Sequence, residues 1–324
     1  VKDNHGRTID YARLAITDRC NLRCHYCMPA SGLQWLNRSD LLSYEEIEQL
    51  LSVLSSLGVR KLRFTGGEPF MRRDFERLLT RVAERNFFES ISITTNGVLT
   101  APFVPLLKQL NIHSVNLSLD TLDEKRFETI TRRAVFGDVM KTLNELVKHG
   151  IRTKINAVIM EDVNEQDIIP LALLSKDLPV DVRFIEEMPF NGRGDRHATK
   201  WNRNGLMREL EQHLGNLLPV AGEPNTTSEN FSVHHHKGMV GIIAAWSRSF
   251  CGTCNRLRIT PSGQLKTCLY GQNALDVREM LRSGSKESEI AKAIEAAIKH
   301  KAKDGHYAAQ WSERPEESMA TIGG

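Results

Sequence analysis

Along the first two-thirds of the chain, short β-rich apolar runs are each followed by a stretch whose apolar positions fall three and four residues apart. The runs predict strands at Tyr11–Thr17, Lys61–Thr65, Ser90–Thr95, Ser114–Leu119, Arg152–Met160 and Val180–Ile185. The helical spacing predicts helices over Tyr44–Leu57, Phe75–Arg85, Val139–His149 and Gln166–Ser175. Ser43 with Glu46 three residues on reads as a capping box, and Gly58 and Gly150 fall just past helix ends. Strand–helix alternation implies a parallel sheet covered by helices. Six units are too few for a closed eight-stranded barrel, so the expected class is α/β, an open, partial (β/α)6 barrel of TIM type. Polar residues gather at the C-terminal ends of the strands: Asp18 and Cys20, Gly66-Gly67-Glu68, Thr95-Asn96, Ser118 and Asp120, and Glu186-Glu187-Met188. That end is where α/β sheets build their ligand sites.

The pattern changes after Ala221–Asn230, ten residues crowded with Gly, Pro, Asn, Thr and Ser that read as a linker. Beyond it, Phe231–Val233, Met239–Trp246, Leu257–Thr260 and Gln264–Lys266 read as short antiparallel strands, followed by a charged, Ala-rich helix from Ser288 to Lys303. Two domains are expected. Residues 1–225 form the α/β core, and residues 226–324 form a smaller α+β domain ending in Gly323-Gly324.

Composition narrows the function classes. Charged residues make up 26% and hydrophobic ones 40% of 324, as in a soluble globular protein, and a net charge of +3 points neither to DNA nor to a membrane. Val1–Arg7 lacks an apolar signal region, and the longest apolar run, Val240 to Trp246, is too short to span a bilayer. A cytoplasmic location is expected, where closely spaced cysteines more often bind metal than pair as disulfides.

All six cysteines fall into two groups. Cys20, Cys24 and Cys27 form C-x3-C-x2-C after the first strand, and Cys251, Cys254 and Cys268 form C-x2-C-x13-C near the other end. Each group offers three thiolates where an iron–sulfur cluster normally takes four. Two such clusters would each leave one iron open to exogenous chemistry, as catalytic zinc sites keep an open position. The alternatives at this point are zinc sites completed by His25 or by one of His234, His235 and His236.

Cys20-Asn21-Leu22-Arg23-Cys24-His25-Tyr26-Cys27 resembles the signature of the radical S-adenosylmethionine (SAM) enzymes, and Gly66-Gly67-Glu68-Pro69 resembles their GGEP motif. Cys251-Gly252-Thr253-Cys254-Asn255-Arg256-Leu257-Arg258, Ile93–Gly97 and the terminal Gly-Gly narrow the resemblance to the GTP 3′,8-cyclases, the radical SAM family that opens molybdenum cofactor synthesis. The resemblance runs from about Gly6 to Gly324. It implies two [4Fe–4S] clusters, the first on Cys20, Cys24 and Cys27 binding SAM, the second on Cys251, Cys254 and Cys268 holding the guanine of GTP. It assigns Tyr26, Gly67, Ser118 and Met188 to SAM. Arg13, Arg63, Thr94, Lys154, Arg256, Arg258 and the backbone at Leu257 match the family's GTP-binding positions. Arg13, Gly323 and Gly324 carry over as residues needed for turnover. It also implies an external electron donor and transfer of the product to cyclic pyranopterin monophosphate synthase, with the chain a monomer or homodimer.

Read without the resemblance, Arg63 and Lys154 lie in predicted strands and Arg256 and Arg258 follow the second cysteine pair, and with Arg13 each could face an anionic guest that balances it. A carboxylate such as Glu186 is the alternative partner. Arg72-Arg73 and Arg132-Arg133 read equally well as solvated helix-end charges. Two other functions remain open. One is a peptide-modifying radical SAM enzyme with an auxiliary cluster, against which six cysteines are few; the other is a zinc-bearing nucleotide-binding module.

Overall fold

The computed structural model describes residues 1–188, 190, 200–222, 225–247, 251–310 and 318–323. Six strand–helix units follow in succession. They are β1 (Tyr11–Ala15) and α1 (Tyr44–Ser56), β2 (Lys61–Thr65) and α2 (Phe75–Glu84), and β3 (Ser90–Thr95) and α3 (Val104–Gln109). Next are β4 (Ser114–Ser118) with α4 (Glu124–Thr131) and α5 (Phe136–Lys148), β5 (Thr153–Ile159) and α6 (Ile168–Asp177), then β6 (Val180–Glu186) and α7 (Arg203–Leu214). The rest of the chain adds β7 (Leu218–Val220), β8 (Glu229–Ser232), β9 (Met239–Ile243), β10 (Arg256–Ile259), β11 (Gln264–Lys266) and β12 (Leu275–Asp276). It closes with α8 (Val277–Arg282), α9 (Glu287–Lys299), α10 (Gly305–Gln310) and α11 (Met319–Ile322).

The expected strands and helices are present close to their expected bounds. The Ser43 capping box forms in both directions, Glu46 N–H to Ser43 and Ser43 N–H to Glu46. Helices α3, α4 and α7 are additional to the expectation. Of these, α4 and α7 start from Asp123 and Asn202, whose side chains accept first-turn N–H groups.

The chain divides into two compact units: residues 1–21, 32–94 and 251–324, and residues 22–31 and 95–250. In the first, the strands run β12-β11-β10-β1-β2-β3, with β10, β1, β2 and β3 parallel and β10, β11 and β12 antiparallel. Helix α1 packs against α9, burying Ile47, Leu50 and Leu54 on one and Ile290, Ile294 and Ile298 on the other. Each such side chain contributes about 1.5–3 kcal/mol of transfer free energy. In the second unit the order is β4-β5-β6-β9-β8-β7, parallel from β4 to β9 and antiparallel beyond. Its core holds Leu117, Ile155, Val182 and Phe184 beneath Leu143, Ile168 and Leu171.

One expectation is corrected. Met239–Trp246 and Leu257–Thr260 were read as antiparallel strands, but β9 pairs in parallel with β6 and β10 in parallel with β1. Apolar patterning reports burial, not which strand lies alongside. Among the described residues, no helix is long and apolar enough to cross a membrane.

Candidate active site

Strand register brings a group of cations onto one face of the first unit. Arg256 on β10 lies opposite Tyr11 on β1, and Tyr11 opposite Lys61 on β2. One step along, Arg258, Arg13 and Arg63 lie side by side, and Lys266 on β11 stands opposite Arg258. Alternation along each strand sends these side chains to one face while Ala12, Leu14, Leu62, Phe64, Leu257 and Ile259 enter the core. No Asp or Glu occupies these register positions. Arg63 donates to the Tyr11 hydroxyl at 2.5 Å and reaches Thr94 at 3.5 Å.

The electrostatics are those of a site built for an anion. Burial and the neighbouring Arg13 and Arg256 guanidiniums bring the pKa of Arg258 down to about 9. Burial also lowers that of Arg13, against the pull of Tyr11 and with Arg256 and Arg63 adding to the fall. Burial pushes the Tyr11 phenol up, yet Arg63 and Arg13 bring it down to about 7. The Arg13 Nε is buried with no hydrogen-bond partner. A donor left so costs roughly 1–3 kcal/mol unless a ligand accepts from it. Glu186, the carboxylate weighed as an alternative partner, accepts instead from the Arg203 and Ser247 backbone N–H groups and the Ser247 hydroxyl.

The second cysteine group stands beside this face. Burial raises the pKa of Cys251, and Cys268 and Cys254 add to the rise, so the three sulfurs lie within electrostatic reach of one another. Burial also pushes the Cys254 thiol up, but Arg256 and Lys301 bring it down to about 6, which makes it a thiolate at neutral pH, the form that ligates metal. The chain's last turn reaches the same face. Ser318 caps α11, Ala320 and Ile322 are buried, and Arg258 donates to the Gly323 carbonyl. Gly323 has φ +79°, and a Cβ there would lie 2.9 Å from the Ala15 Cβ, so the position demands glycine. Gly324 lies outside the described residues.

In the same unit, Gly66-Gly67 follows β2 so closely that a Cβ on Gly67 would lie 2.2 Å from the Arg19 carbonyl oxygen. Gly67 N–H donates to Thr17 and Glu68 N–H to Arg19, closing this turn on the segment that ends in Cys20. The chain's own backbone therefore accounts for the glycine. Arg72, weighed as a solvated charge, instead donates to the Ile16 and Leu42 carbonyls and stacks on Tyr44.

In the second unit, Cys24 and Cys27 sit in a turn with Cys27 N–H bonded to the Cys24 carbonyl. The loop is fastened to the end of α4 by Arg23 N–H to Thr131 and His25 N–H to Ile130. Arg132 is not a solvated helix-end charge either, since it donates to the Arg23 and Met28 carbonyls. The Tyr26 hydroxyl donates to Asp120 at 3.0 Å, and burial, Asp120, Cys24 and Cys27 all raise its pKa. Ser118 ends β4, and half-buried Met188 follows β6. Lys154 lies opposite Asn116 and Asp181, and one step on Asn156 lies opposite Ser118 and Arg183. Arg183, Lys61 and Lys266 were not singled out from sequence. Alternation from Arg13, Arg63, Lys154 and Arg258 gives their faces only once the register is known.

None of the six cysteines is paired in a disulfide. Among the described residues, no three His, Cys, Asp or Glu side chains are placed to hold a single metal ion. A cluster makes a different demand, because its thiolates bind separate irons. His25 is exposed, and His236 contacts Ser175 at 2.8 Å while His234 and His235 meet edge to face.

The thiol groups, the glycine turn and the parallel strand–helix succession define a radical SAM enzyme. The model of the Radical SAM superfamily matches residues 14–174, and that of Molybdenum Cofactor Synthesis C matches residues 180–307. The chain is 37% identical to GTP 3′,8-cyclase of Desulforamulus reducens, over 99% of both chains. It therefore belongs to the GTP 3′,8-cyclase family. It is also 38% identical to molybdenum cofactor biosynthesis protein 1 of Bos taurus, over 93% of this chain and 48% of that protein. Streptococcus suis SuiB, solved bound to S-adenosylmethionine, shares the fold with a TM-score of 0.67 at 17% identity, covering 96% of this chain and 76% of SuiB. The α/β class with a TIM-like barrel core is thus borne out.

Proposed function

We propose that this chain cyclises GTP to 3′,8-cyclo-7,8-dihydro-GTP as the first step of molybdenum cofactor synthesis. The observation that carries the reading is the run of cations on β10, β1 and β2, with no carboxylate in register and a buried Arg13 Nε that no protein atom satisfies. Arginine meets phosphate oxygens bidentately, so Arg13, Arg63, Arg256 and Arg258 grip the polyphosphate of GTP, with Thr94 beside Arg63, and the family resemblance assigns Lys154 to the same substrate.

Cys20, Cys24 and Cys27 would hold a [4Fe–4S] cluster with SAM at its open iron, and Cys251, Cys254 and Cys268 a second, facing the guanine. Tyr26, Gly67, Ser118 and Met188 would contact SAM. When bound, the first cluster and SAM supply the one-electron chemistry that removes a hydrogen atom from C3′ of the ribose. The substrate's C3′ then bonds to C8 of the guanine, and the nitrogen-centred radical left behind takes up one electron and one proton. The protein's task is to hold C3′ against C8 and to keep stray hydrogen donors away. Gly323 and Gly324 serve the second purpose, the first by seating its carbonyl on Arg258. The segment 226–324 acts as the domain carrying the second cluster. The electrons come from an external donor, and the product passes to cyclic pyranopterin monophosphate synthase in the cytoplasm.

The test is an anaerobic assay of cluster-loaded protein with reductant, SAM and GTP deuterated at C3′, read by mass spectrometry. Deuterium is expected in 5′-deoxyadenosine. Unlabelled 5′-deoxyadenosine would mean another substrate, and none at all, with iron and sulfide present, would end the enzyme reading.

A further inference from the structure

Lys301 is buried in the first unit, just past the C-terminal end of α9, and neither the family motifs nor the GTP contacts use it. Its ammonium donates to the carbonyls of Arg256 and Thr267. These residues bracket the cysteine group, because Arg256 lies two positions after Cys254 and Thr267 immediately precedes Cys268. Among the described residues no carboxylate pairs with it; burial lowers its pKa, and the neighbouring Cys254 and Cys268 side chains act against that fall. The segment carrying it is fixed from the other side by Arg7, which donates to the carbonyls of Ala302, Lys303 and Cys251 while Asp3 holds its Nε at 2.6 Å. A lysine this deep, with two carbonyls and no anion, would be costly. A cluster bound by Cys254 and Cys268 would place negative charge beside it, which also needs a cation. The two requirements are met together at one place.

We propose that Lys301 is the fixed countercharge of the second iron–sulfur cluster. Its ammonium spans the strand that follows Cys254 and the turn that enters Cys268, keeping one positive charge beside a group whose negative charge grows on reduction. Hydrogen bonding and local charge are the main means by which a protein sets a cluster's potential. A cation held there favours the reduced state, so Lys301 raises the midpoint potential of the second cluster and supports its loading. The assignment rests on the two-cluster reading above.

The experiment uses the full chain with Cys20, Cys24 and Cys27 replaced by Ala, so that only the second cluster is present. In this background Lys301→Met and Lys301→Arg are compared by iron and sulfide content, far-ultraviolet circular dichroism and potentiometric titration followed by electron paramagnetic resonance. The expected result is folded protein in which Lys301→Met shifts the midpoint to a more negative potential and Lys301→Arg keeps it near the parent. Loss of iron in Lys301→Met with retention in Lys301→Arg also supports the assignment, since the charge is then what matters. An unchanged midpoint in fully loaded Lys301→Met overturns it, as does equal iron loss in both variants. A parent without iron and sulfide overturns the two-cluster reading itself and Lys301's role with it, an outcome separate from the other two.

Discussion

The two compact units line their parallel sheets with polar side chains in opposite ways. In the second unit most of those side chains pair with one another, although the Arg183 Nε and the Asn116 Oδ1 are buried without a hydrogen bond. Arg183 donates to Asn156 at 2.7 Å, Asp120 accepts from Val158 N–H and the Tyr26 hydroxyl, and Asn164 fills three backbone groups at once. In the first unit, cations stand in adjacent register positions, lower one another's pKa values and leave the Arg13 Nε without an acceptor. The difference separates polar residues that build a protein from those that wait for a guest. The first kind is largely complete within the chain, whereas a set of adjacent cations costs stability until a ligand arrives.

The comparison can be broken most severely at Asn164. Its side chain is fully buried, accepts from Met160 N–H and donates to the Asp120 and Val158 carbonyls. Asn164→Ala orphans three buried backbone groups and should cost about 3 kcal/mol or more of stability in a denaturant titration, with GTP affinity intact in the folded fraction. Arg13→Ala should do the reverse. Losing a charged contact to phosphate weakens GTP binding by about 10–100-fold in equilibrium titration, while the thermal midpoint stays level or rises. A stability loss with unchanged GTP binding would put Arg13 in the same class as Asn164.

The smallest effect concerns Tyr11. Burial raises its pKa, but Arg63 and Arg13 outweigh this and set it near 7, against an ordinary 10. Between those values the unfolded chain holds the proton and the folded chain does not, so this contribution to stability grows as pH rises above 7 and is lost as pH falls through it. Urea midpoints of nucleotide-free protein from about pH 6 to about pH 9 should show that rise, and Tyr11→Phe should lack it. Parallel pH profiles for the two proteins would remove Tyr11 from the cationic set.

Much of this arrangement was legible in the sequence, for identifiable reasons. The six strands and the helices α1, α2 and α5 carry clear periodicity, and Ser43, Gly58 and Gly150 mark ends by local chemistry alone. Cysteine spacing and the GGEP turn are local too. What escaped depends on partners distant in the chain. That β10 lies alongside β1 is a contact between residues about 245 apart, and it alone places Arg256 and Arg258 beside Tyr11 and Arg13. Arg72 and Arg132 look like surface charges until the carbonyls they serve are known. Lys301 gives no signal in a helix end rich in lysine.

The pairing of β10 with β1 also says where this chain can change length over time. From Cys254 to Arg258 the segment works as a ruler, fixing a sulfur at one mark and guanidiniums two and four residues on, with Leu257 turned into the core between them. Inserting or deleting one residue there would swap the faces, placing an arginine in the apolar layer and a leucine among the cations. Substitution can be explored one position at a time in this stretch, but a shift of frame cannot. Length variation should instead collect in segments such as the exposed loop at residues 272–274, where no strand keeps count.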